Sequence, residues 1–238
     1  MKERLDGKIK AILFDLDGTL LDIDLDKFIT QYLNLLAQSV AHLISPKKFI
    51  AKILKASKAV EENNGGKTNE DVYTDVFFPL EGHTQEDIKP FFDKFYEHDF
   101  SKLRIYTQKK PEARIVVQKA FDKGYDVIIA TTPLLPAIAI EQRLEWANVA
   151  DFPYRLITTI ENSHATKSLA HLLYYEQILD KIGFPAEKCL MVGDEDKDMI
   201  AKRLGFNTFL ITGKNKELNL EIPEPTYKGS LSDLKSLI

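Results

Sequence analysis

The chain has 238 residues, 44% of them hydrophobic, which is enough to bury one large core or a core with a substantial insertion. Its 32 basic and 36 acidic residues give a net charge of -4 and form no basic block or acidic tail. The sequence therefore lacks the charge pattern that is typical of proteins binding nucleic acids or anionic membranes. The apolar segments are too short for a signal-peptide core or a transmembrane helix, so we expect a cytoplasmic protein. Its oligomeric state is not readable from the sequence.

Short apolar segments that end in small or polar residues recur along the chain. Both faces of each segment are apolar, which is typical of strands buried in a parallel sheet. These predicted strands lie at residues 10–15, 125–132, 154–159, 188–194 and 207–212. Helical patterns follow the later strands at 137–148, 169–182 and 196–204, and the last two end at the glycines Gly183 and Gly205. The alternation predicts a doubly wound, Rossmann-like α/β core.

One interval breaks this alternation. More than 100 residues separate the first two predicted strands, and most of them have a helical pattern. Thr84 and Asp87 form a predicted capping box at the start of one helix. Apolar residues share one face of another, namely Phe28, Tyr32, Leu35, Leu36, Val40, Leu43 and Ile44. We therefore predict a core formed by residues 1–20 and 107–238, with a helical lobe inserted at 21–106.

Acidic and hydroxyl side chains and one lysine follow the predicted strands. Ligands of open parallel sheets bind beyond the carboxyl ends of the strands, so these residues are candidates for a site. They are Asp15, Asp17, Thr131, Thr132, Lys167, Asp194 and Asp198. Clustered carboxylates raise one another's pKa unless a cation lies among them. Oxygen ligands of this kind suit Mg²⁺ best, so the pattern predicts a magnesium site.

Each of these residues also has a simpler structural interpretation. An isolated D-x-D can form a turn or a helix cap, Thr131 is a good strand residue, and a lysine at position 167 can be a solvated side chain at a helix start. The acid-rich stretch "DLDGTLLDIDLD" does not fit a calcium loop, because glycine is missing where that loop requires it. Cys189 lies in an apolar segment and is predicted to be a buried structural residue. Only the combination of acids, threonine and lysine favours a site.

The combined pattern resembles the four motifs of the haloacid dehalogenase (HAD) superfamily of phosphohydrolases. "DLDGTL" follows a hydrophobic strand, Thr131 follows the next one, and Lys167 precedes "GDEDKD" with Asp194 and Asp198. The resemblance covers residues 8–20 and 107–238, and implies that the inserted lobe is a helical C1 cap. Two positions differ from the family's common pattern, because Thr132 replaces asparagine and Ser168 replaces proline.

The resemblance implies a role for each acid. Asp15 would be the nucleophile that forms an aspartyl-phosphate, which divides one displacement into two. Asp17 would act as general acid and then general base, and its backbone carbonyl would bind the metal. Asp194 and Asp198 would complete the Mg²⁺ site together with Asp15.

The remaining positions would bind the phosphoryl group. Thr131 would donate its hydroxyl, Thr132 would support it, and Lys167 would neutralise the nucleophile and the phosphate together. Gly18 lets the chain turn tightly beside the phosphate.

The type of residue two positions after the nucleophile separates reactions within the superfamily. Dehalogenases lack an acid there, so Asp17 indicates phosphate chemistry. The predicted function is a Mg²⁺-dependent phosphoric monoester hydrolase, a phosphatase acting on a small phosphorylated metabolite. A phosphomutase of the same superfamily and a non-catalytic binding module on the same fold remain as alternatives. The sequence does not identify the substrate.

Overall fold

A computed structural model describes residue 5, residues 7–213, residue 219 and residues 221–238. In this part of the chain, six parallel strands form the main sheet in the order β5-β4-β1-β6-β7-β8, and β2 and β3 form a separate antiparallel pair. The strands are β1 (Ala11–Phe14), β2 (Leu21–Ile23), β3 (Thr107–Lys109), β4 (Asp126–Ile129), β5 (Leu156–Ile157), β6 (Cys189–Gly193), β7 (Asn207–Ile211) and β8 (Tyr227–Gly229).

Helices cover both faces of the main sheet and fill the interval between β2 and β3. The inserted helices are α1 (Leu25–Ser39), α2 (Pro46–Glu61), α3 (Asn69–Phe77) and α4 (Gln85–Lys94), followed by a π-helical turn (Phe95–Asp99) and a 3-10 helix (Phe100–Tyr106). The core helices are α5 (Pro111–Asp122), α6 (Ala137–Trp146), α7 (Leu173–Ile182), α8 (Asp196–Met199) and α9 (Leu231–Leu237), and 3-10 turns occur at Ala186–Lys188 and Ile200–Leu204. None of the described helices combines the length and apolar character that a membrane span requires.

The central strand β1 is buried on both faces, as its continuous apolar sequence predicts. Ile12 and Phe14 pack in one apolar cluster with residues of α5, α6 and α9. Ala11 and Leu13 face the opposite side and pack with residues of α7 and the segment after β6. The predicted α/β fold is therefore confirmed, and Cys189 is buried as expected. Burial raises the pKa of its thiol to about 12, so it is not a reactive thiolate.

The inserted helices leave and rejoin the core at adjacent points. Leu21 pairs with Lys109 and Ile23 with Thr107, so β2 and β3 join the two connections into one short ribbon. The apolar cluster on one side of the sheet continues into these helices through Phe28, among other residues. The domain limits at 20/21 and 106/107 stay a prediction. The predicted core also includes residues 1–4, 6, 214–218 and 220, which lie outside the described residues.

Local signals in the sequence predict several element ends correctly. Gly183 and Gly205 end their helical segments in the left-handed conformation, and Thr84 forms the predicted capping box with Asp87. The long helix predicted through residue 44 ends earlier, at Ser39, and Leu43 is 36% exposed. The sequence pattern did not predict β2, β3, β8 or α9, because three strands of three residues and a seven-residue terminal helix carry too little periodicity.

Candidate active site

The candidate site lies at the carboxyl ends of β1, β4 and β6. Phe14 is in register with Ile129 on one side and with Val192 on the other, and these are the last or next-to-last residues of their strands. The residues that follow therefore reach the same edge of the sheet, where the backbone N–H of Asp15 donates to the carbonyl of Val192 at 2.9 Å. Parallel pairing explains why side chains distant in sequence meet there.

Three carboxylates and one lysine form the centre of this site. One carboxylate oxygen from each of Asp15, Asp194 and Asp198 lies within 4.8 Å of the others, which is close enough for a shared metal ion. The Nζ of Lys167 is 2.6 Å from Asp15 Oδ1 and 2.6 Å from Asp198 Oδ1. Lys167 is only 4% exposed, so its charge is held by these two acids rather than by solvent.

Burial and neighbouring charges shift the pKa values of Asp15, Asp194 and Lys167. Burial raises the pKa of the Asp15 carboxyl well above its usual range; Lys167 opposes this shift, and Asp198 and Asp194 add to it. Burial also raises the pKa of Asp194, and the neighbouring Asp198 contributes. For Lys167 burial lowers the pKa, but Asp15 and Asp198 together raise it well above its usual range. A divalent cation would relieve the repulsion among the acids, so the donor set fits Mg²⁺.

Two glycines allow the acids to approach the backbone. Gly18 has φ +84°, and a Cβ built on it would lie 2.3 Å from Asp194 Oδ2. A Cβ on Gly193 would lie 2.1 Å from Asp198 Oδ2. Both distances are impossible for real atoms, so any side chain at these positions would displace an acid of the cluster. Thr19 donates its hydroxyl to Asp194 Oδ1 at 3.1 Å and holds that carboxylate against the turn.

The side chain of Asp17 lies apart from the three clustered carboxylates. Its Oδ2 accepts a hydrogen bond from the guanidinium of Arg143, which is buried in α6. Its Oδ1 is also buried and has no hydrogen-bond partner among the described residues. Lys110 donates its Nζ to the carbonyl oxygen of Gly18 and supports the same turn from the returning connection. The predicted metal contact of Asp17 concerns its backbone carbonyl and stays a prediction.

Thr131 lies at the end of β4 and is 3% exposed. Its carbonyl accepts hydrogen bonds at 2.9 Å from the hydroxyls of Thr158 and Tyr174, which fix the backbone of the loop. Thr132 is half-buried, and its carbonyl accepts from the N–H of Leu134 at 2.9 Å. The structure thus places both threonines beyond the strand end, as the sequence predicts.

An inserted helix contacts the loops that carry Thr131 and Lys167. The Nδ2 of Asn69, at the start of α3, donates to the carbonyls of Pro133 at 3.2 Å and Ala165 at 3.1 Å. Its Oδ1 accepts from Asn63 Nδ2 at 2.8 Å, and its side chain is fully buried. Asn69 therefore joins the lobe to two loops of the site.

The structure brings together the predicted residues Asp15, Lys167, Asp194 and Asp198, and places Asp17 and Gly18 on the adjoining turn. Sequence reasoning missed the contacts of Thr19, Asn69, Lys110 and Arg143. Thr19 belongs to the "DGT" stretch and could have been found by its position next to Gly18. The others come from distant segments, and nothing in their local pattern distinguishes them from ordinary polar residues.

The fold is that of the HAD superfamily of hydrolases. More narrowly, the chain belongs to the haloacid dehalogenase-like hydrolases, because the model of that family matches residues 9–203. A second model, described as HAD-hydrolase-like, matches residues 170–237. No curated protein matches the chain.

Solved structures with the same fold include proteins of different activities. A HAD phosphatase from Thermococcus onnurineus is 15% identical, with a TM-score of 0.59 and coverage of 96% of this chain and 97% of that one. The L-2-haloacid dehalogenase from Xanthobacter autotrophicus is 13% identical, with a TM-score of 0.58 and coverage of 96% and 98%. The putative HAD-hydrolase YfnB from Bacillus subtilis, bound to magnesium, is 20% identical, with a TM-score of 0.57 and coverage of 96% and 98%. These likenesses show the fold alone.

Proposed function

We propose that this hydrolase is a Mg²⁺-dependent phosphatase that acts on a small phosphorylated metabolite through an aspartyl-phosphate on Asp15. The observation that carries the proposal is the buried cluster in which Lys167 bridges Asp15 and Asp198 beside Asp194. Such a set of charges suits a phosphoryl group, whose transfer depends on positioning and charge neutralisation. The acid at position 17 distinguishes this chain from the pattern implied for dehalogenases.

The side chains divide the reaction into two displacements. In the first, a carboxylate oxygen of Asp15 forms a bond to phosphorus while the bond to the leaving oxygen breaks, and Asp17 gives that oxygen a proton. In the second, Asp17 takes a proton from water, the water oxygen attacks phosphorus, and the bond to Asp15 breaks to release phosphate. Lys167 lies close enough to Asp15 to neutralise charge near the nucleophile in both steps.

The residues that would hold Mg²⁺ are Asp15, Asp194 and Asp198, with the backbone carbonyl of Asp17. When bound, the ion would supply positive charge to the phosphoryl oxygens and keep the acids ionised at neutral pH. Gly18 and Gly193 fit this role, since they give the carboxylates the space to converge.

The test is hydrolysis of 4-nitrophenyl phosphate by the purified protein with and without Mg²⁺. We expect EDTA to abolish turnover and Asp15→Asn to reduce kcat about 10⁴-fold or more, because the nucleophile is lost. Asp196→Asn is the matched control, since Asp196 follows β6, the strand that precedes Asp194, but lies outside the carboxylate cluster. Turnover that survives Asp15→Asn would contradict the mechanism.

A panel of phosphorylated metabolites would then identify the substrate class. Formation of an isomerised sugar phosphate with little free phosphate would indicate the mutase instead. Saturable binding without turnover of any compound would indicate the binding module. Chloride release from 2-chloropropionate is expected to be absent, and its detection would indicate a dehalogenase.

A further inference from the structure

Arg143 is a buried arginine that contacts the candidate general acid and base. It lies on α6, it is 4% exposed, and its NH1 donates to Asp17 Oδ2. Its Nε makes a long contact of 3.4 Å with the carbonyl of Ala139, one turn earlier in the same helix. Among the ion pairs of the described residues, Asp17 is the acidic partner of this guanidinium.

The helix that carries Arg143 is fixed by contacts with the inserted lobe. Trp146 packs against the rings of Phe28 and Phe100 in the inserted lobe, at centroid distances of 6.4 and 5.5 Å. Gln142 donates its Nε2 to the carbonyl of Tyr96 at 2.7 Å. Since α6 is anchored by these contacts, the position of the guanidinium is set by packing and not by the ion pair alone.

Burial of the Arg143 charge is unfavourable unless the carboxylate of Asp17 stays next to it. A charged group removed from water loses its solvation, and only a well-placed opposite charge compensates for that loss. Arginine also presents its donors in a rigid planar fork, in contrast to the flexible stem of lysine. A buried guanidinium on a fixed helix is thus suited to hold a carboxylate in one orientation.

The two oxygens of Asp17 have different environments. Arg143 occupies Oδ2, whereas Oδ1 is buried without a hydrogen-bond partner among the described residues. A buried polar atom without a partner is unfavourable and is found where a ligand or a reaction uses it. Proton transfer needs only one oxygen, and Oδ1 is the one that makes no hydrogen bond to another described residue.

We propose that Arg143 is a positioning residue that holds Asp17 by Oδ2 and so directs Oδ1 to exchange the proton with the leaving group and with water. This role rests on the proposed phosphatase function. It assigns Arg143 no contact with the phosphoryl group, and its effect on the reaction passes through Asp17.

The first test compares two aryl phosphates of similar shape. Phenyl phosphate releases a basic phenolate that needs a proton, whereas 2,4-dinitrophenyl phosphate releases a stable anion that does not. We expect Arg143→Met to lower kcat for phenyl phosphate about 100-fold and for the dinitrophenyl ester less than about 5-fold, as for lost acid catalysis. Arg143→Lys should restore part of the difference. Equal losses on both substrates would overturn the proposal.

A double-mutant cycle gives a second, independent readout. In the Asp17→Asn background, which has no proton to donate, Arg143→Met should change kcat for phenyl phosphate less than about 3-fold. The same loss in both backgrounds would show a structural role and overturn the proposal. Arg114→Met is the matched control, because Arg114 pairs with Asp151 at 2.6 Å at the surface and should leave both substrates unaffected.

Two measurements keep these outcomes separate from other failures. The thermal midpoint of each variant shows whether it folds. If Arg143→Met does not fold, Arg143→Lys replaces it in the comparison. We then expect a smaller loss of kcat that is still selective for phenyl phosphate. Wild-type turnover that persists in Asp15→Asn would overturn the proposed function and this role with it. If turnover depends on Asp15 but Arg143→Met lowers kcat equally for both esters, only the role of Arg143 is overturned.

Discussion

The strand-end site and the interior of the inserted helical lobe are both buried, but different interactions hold them. At the strand ends, charged groups are in direct contact, with Lys167 between Asp15 and Asp198. In the interior of the lobe, aromatic rings pack mostly edge to face, and buried polar side chains form neutral hydrogen bonds. Tyr32 and Tyr96, for example, share a hydroxyl contact of 2.8 Å.

This difference predicts how each region responds to the loss of one group. A neutral hydrogen bond can be lost at the cost of one or two unsatisfied atoms. Loss of one charge from a buried cluster leaves its partners unpaired in a medium that solvates them poorly. The site should therefore be the less tolerant region, although it contains far fewer residues than the lobe.

The largest effect is expected for Lys167→Met. Without Mg²⁺ this change leaves Asp15 and Asp198 without their cation, and we expect the free energy of unfolding to fall by about 3–5 kcal/mol. Urea titration in EDTA, followed by circular dichroism, measures it. Lys48→Met is the control, because Lys48 forms an exposed ion pair with Glu81 at 2.7 Å and should cost less than about 1 kcal/mol. Similar losses for both variants would contradict the comparison.

An intermediate effect is expected for Asn69→Ala. The change removes the donor to the carbonyls of Pro133 and Ala165 and leaves neutral buried groups unpaired, which should cost about 1–3 kcal/mol. Because these carbonyls lie two residues from Thr131 and Lys167, kcat should also fall. Asn207→Ala is the control, since Asn207 makes an exposed hydrogen bond to Glu187. If Asn69→Ala lowered the free energy of unfolding as much as Lys167→Met does, the two regions would not differ in their tolerance to the loss of one group.

The smallest effect concerns the pH dependence of the metal-free protein. Burial raises the folded-state pKa values of Asp15 and Asp194 above the ordinary value of 3.8. The folded protein then binds protons that the unfolded chain has released, so these groups favour folding at low pH. Their contribution is lost as pH rises from that value through the folded-state pKa values. In EDTA, the contribution of these two groups to the thermal midpoint of unfolding should therefore decrease as the pH rises.

The control for this pH dependence is Asp15→Asn, which removes one of the two acids that Lys167 contacts and should flatten the profile in EDTA. Mg²⁺ binds the ionised acids and should raise the midpoint most at the higher pH values. The same profile for wild type and Asp15→Asn would contradict the assignment of the shift to this cluster.

Much of the core was predictable because its signals are local. A strand buried on both faces requires a continuous apolar segment, and glycine ends a helix in the left-handed conformation at low cost, as at Gly183 and Gly205. The short strands β2 and β3 gave no such signal, because their pairing joins residues that are more than 80 positions apart.

The sequence by itself determined the α/β alternation and the residue types that can attack phosphorus, bind a cation and donate a proton. These follow from the chemistry of each side chain and from its place after an apolar strand. The tertiary structure decided which groups complete the site. Arg143 reaches Asp17 across 126 positions in the chain, and Asn69 reaches Ala165 across 96. Such contacts arise only when helices pack against the sheet, so no local periodicity records them.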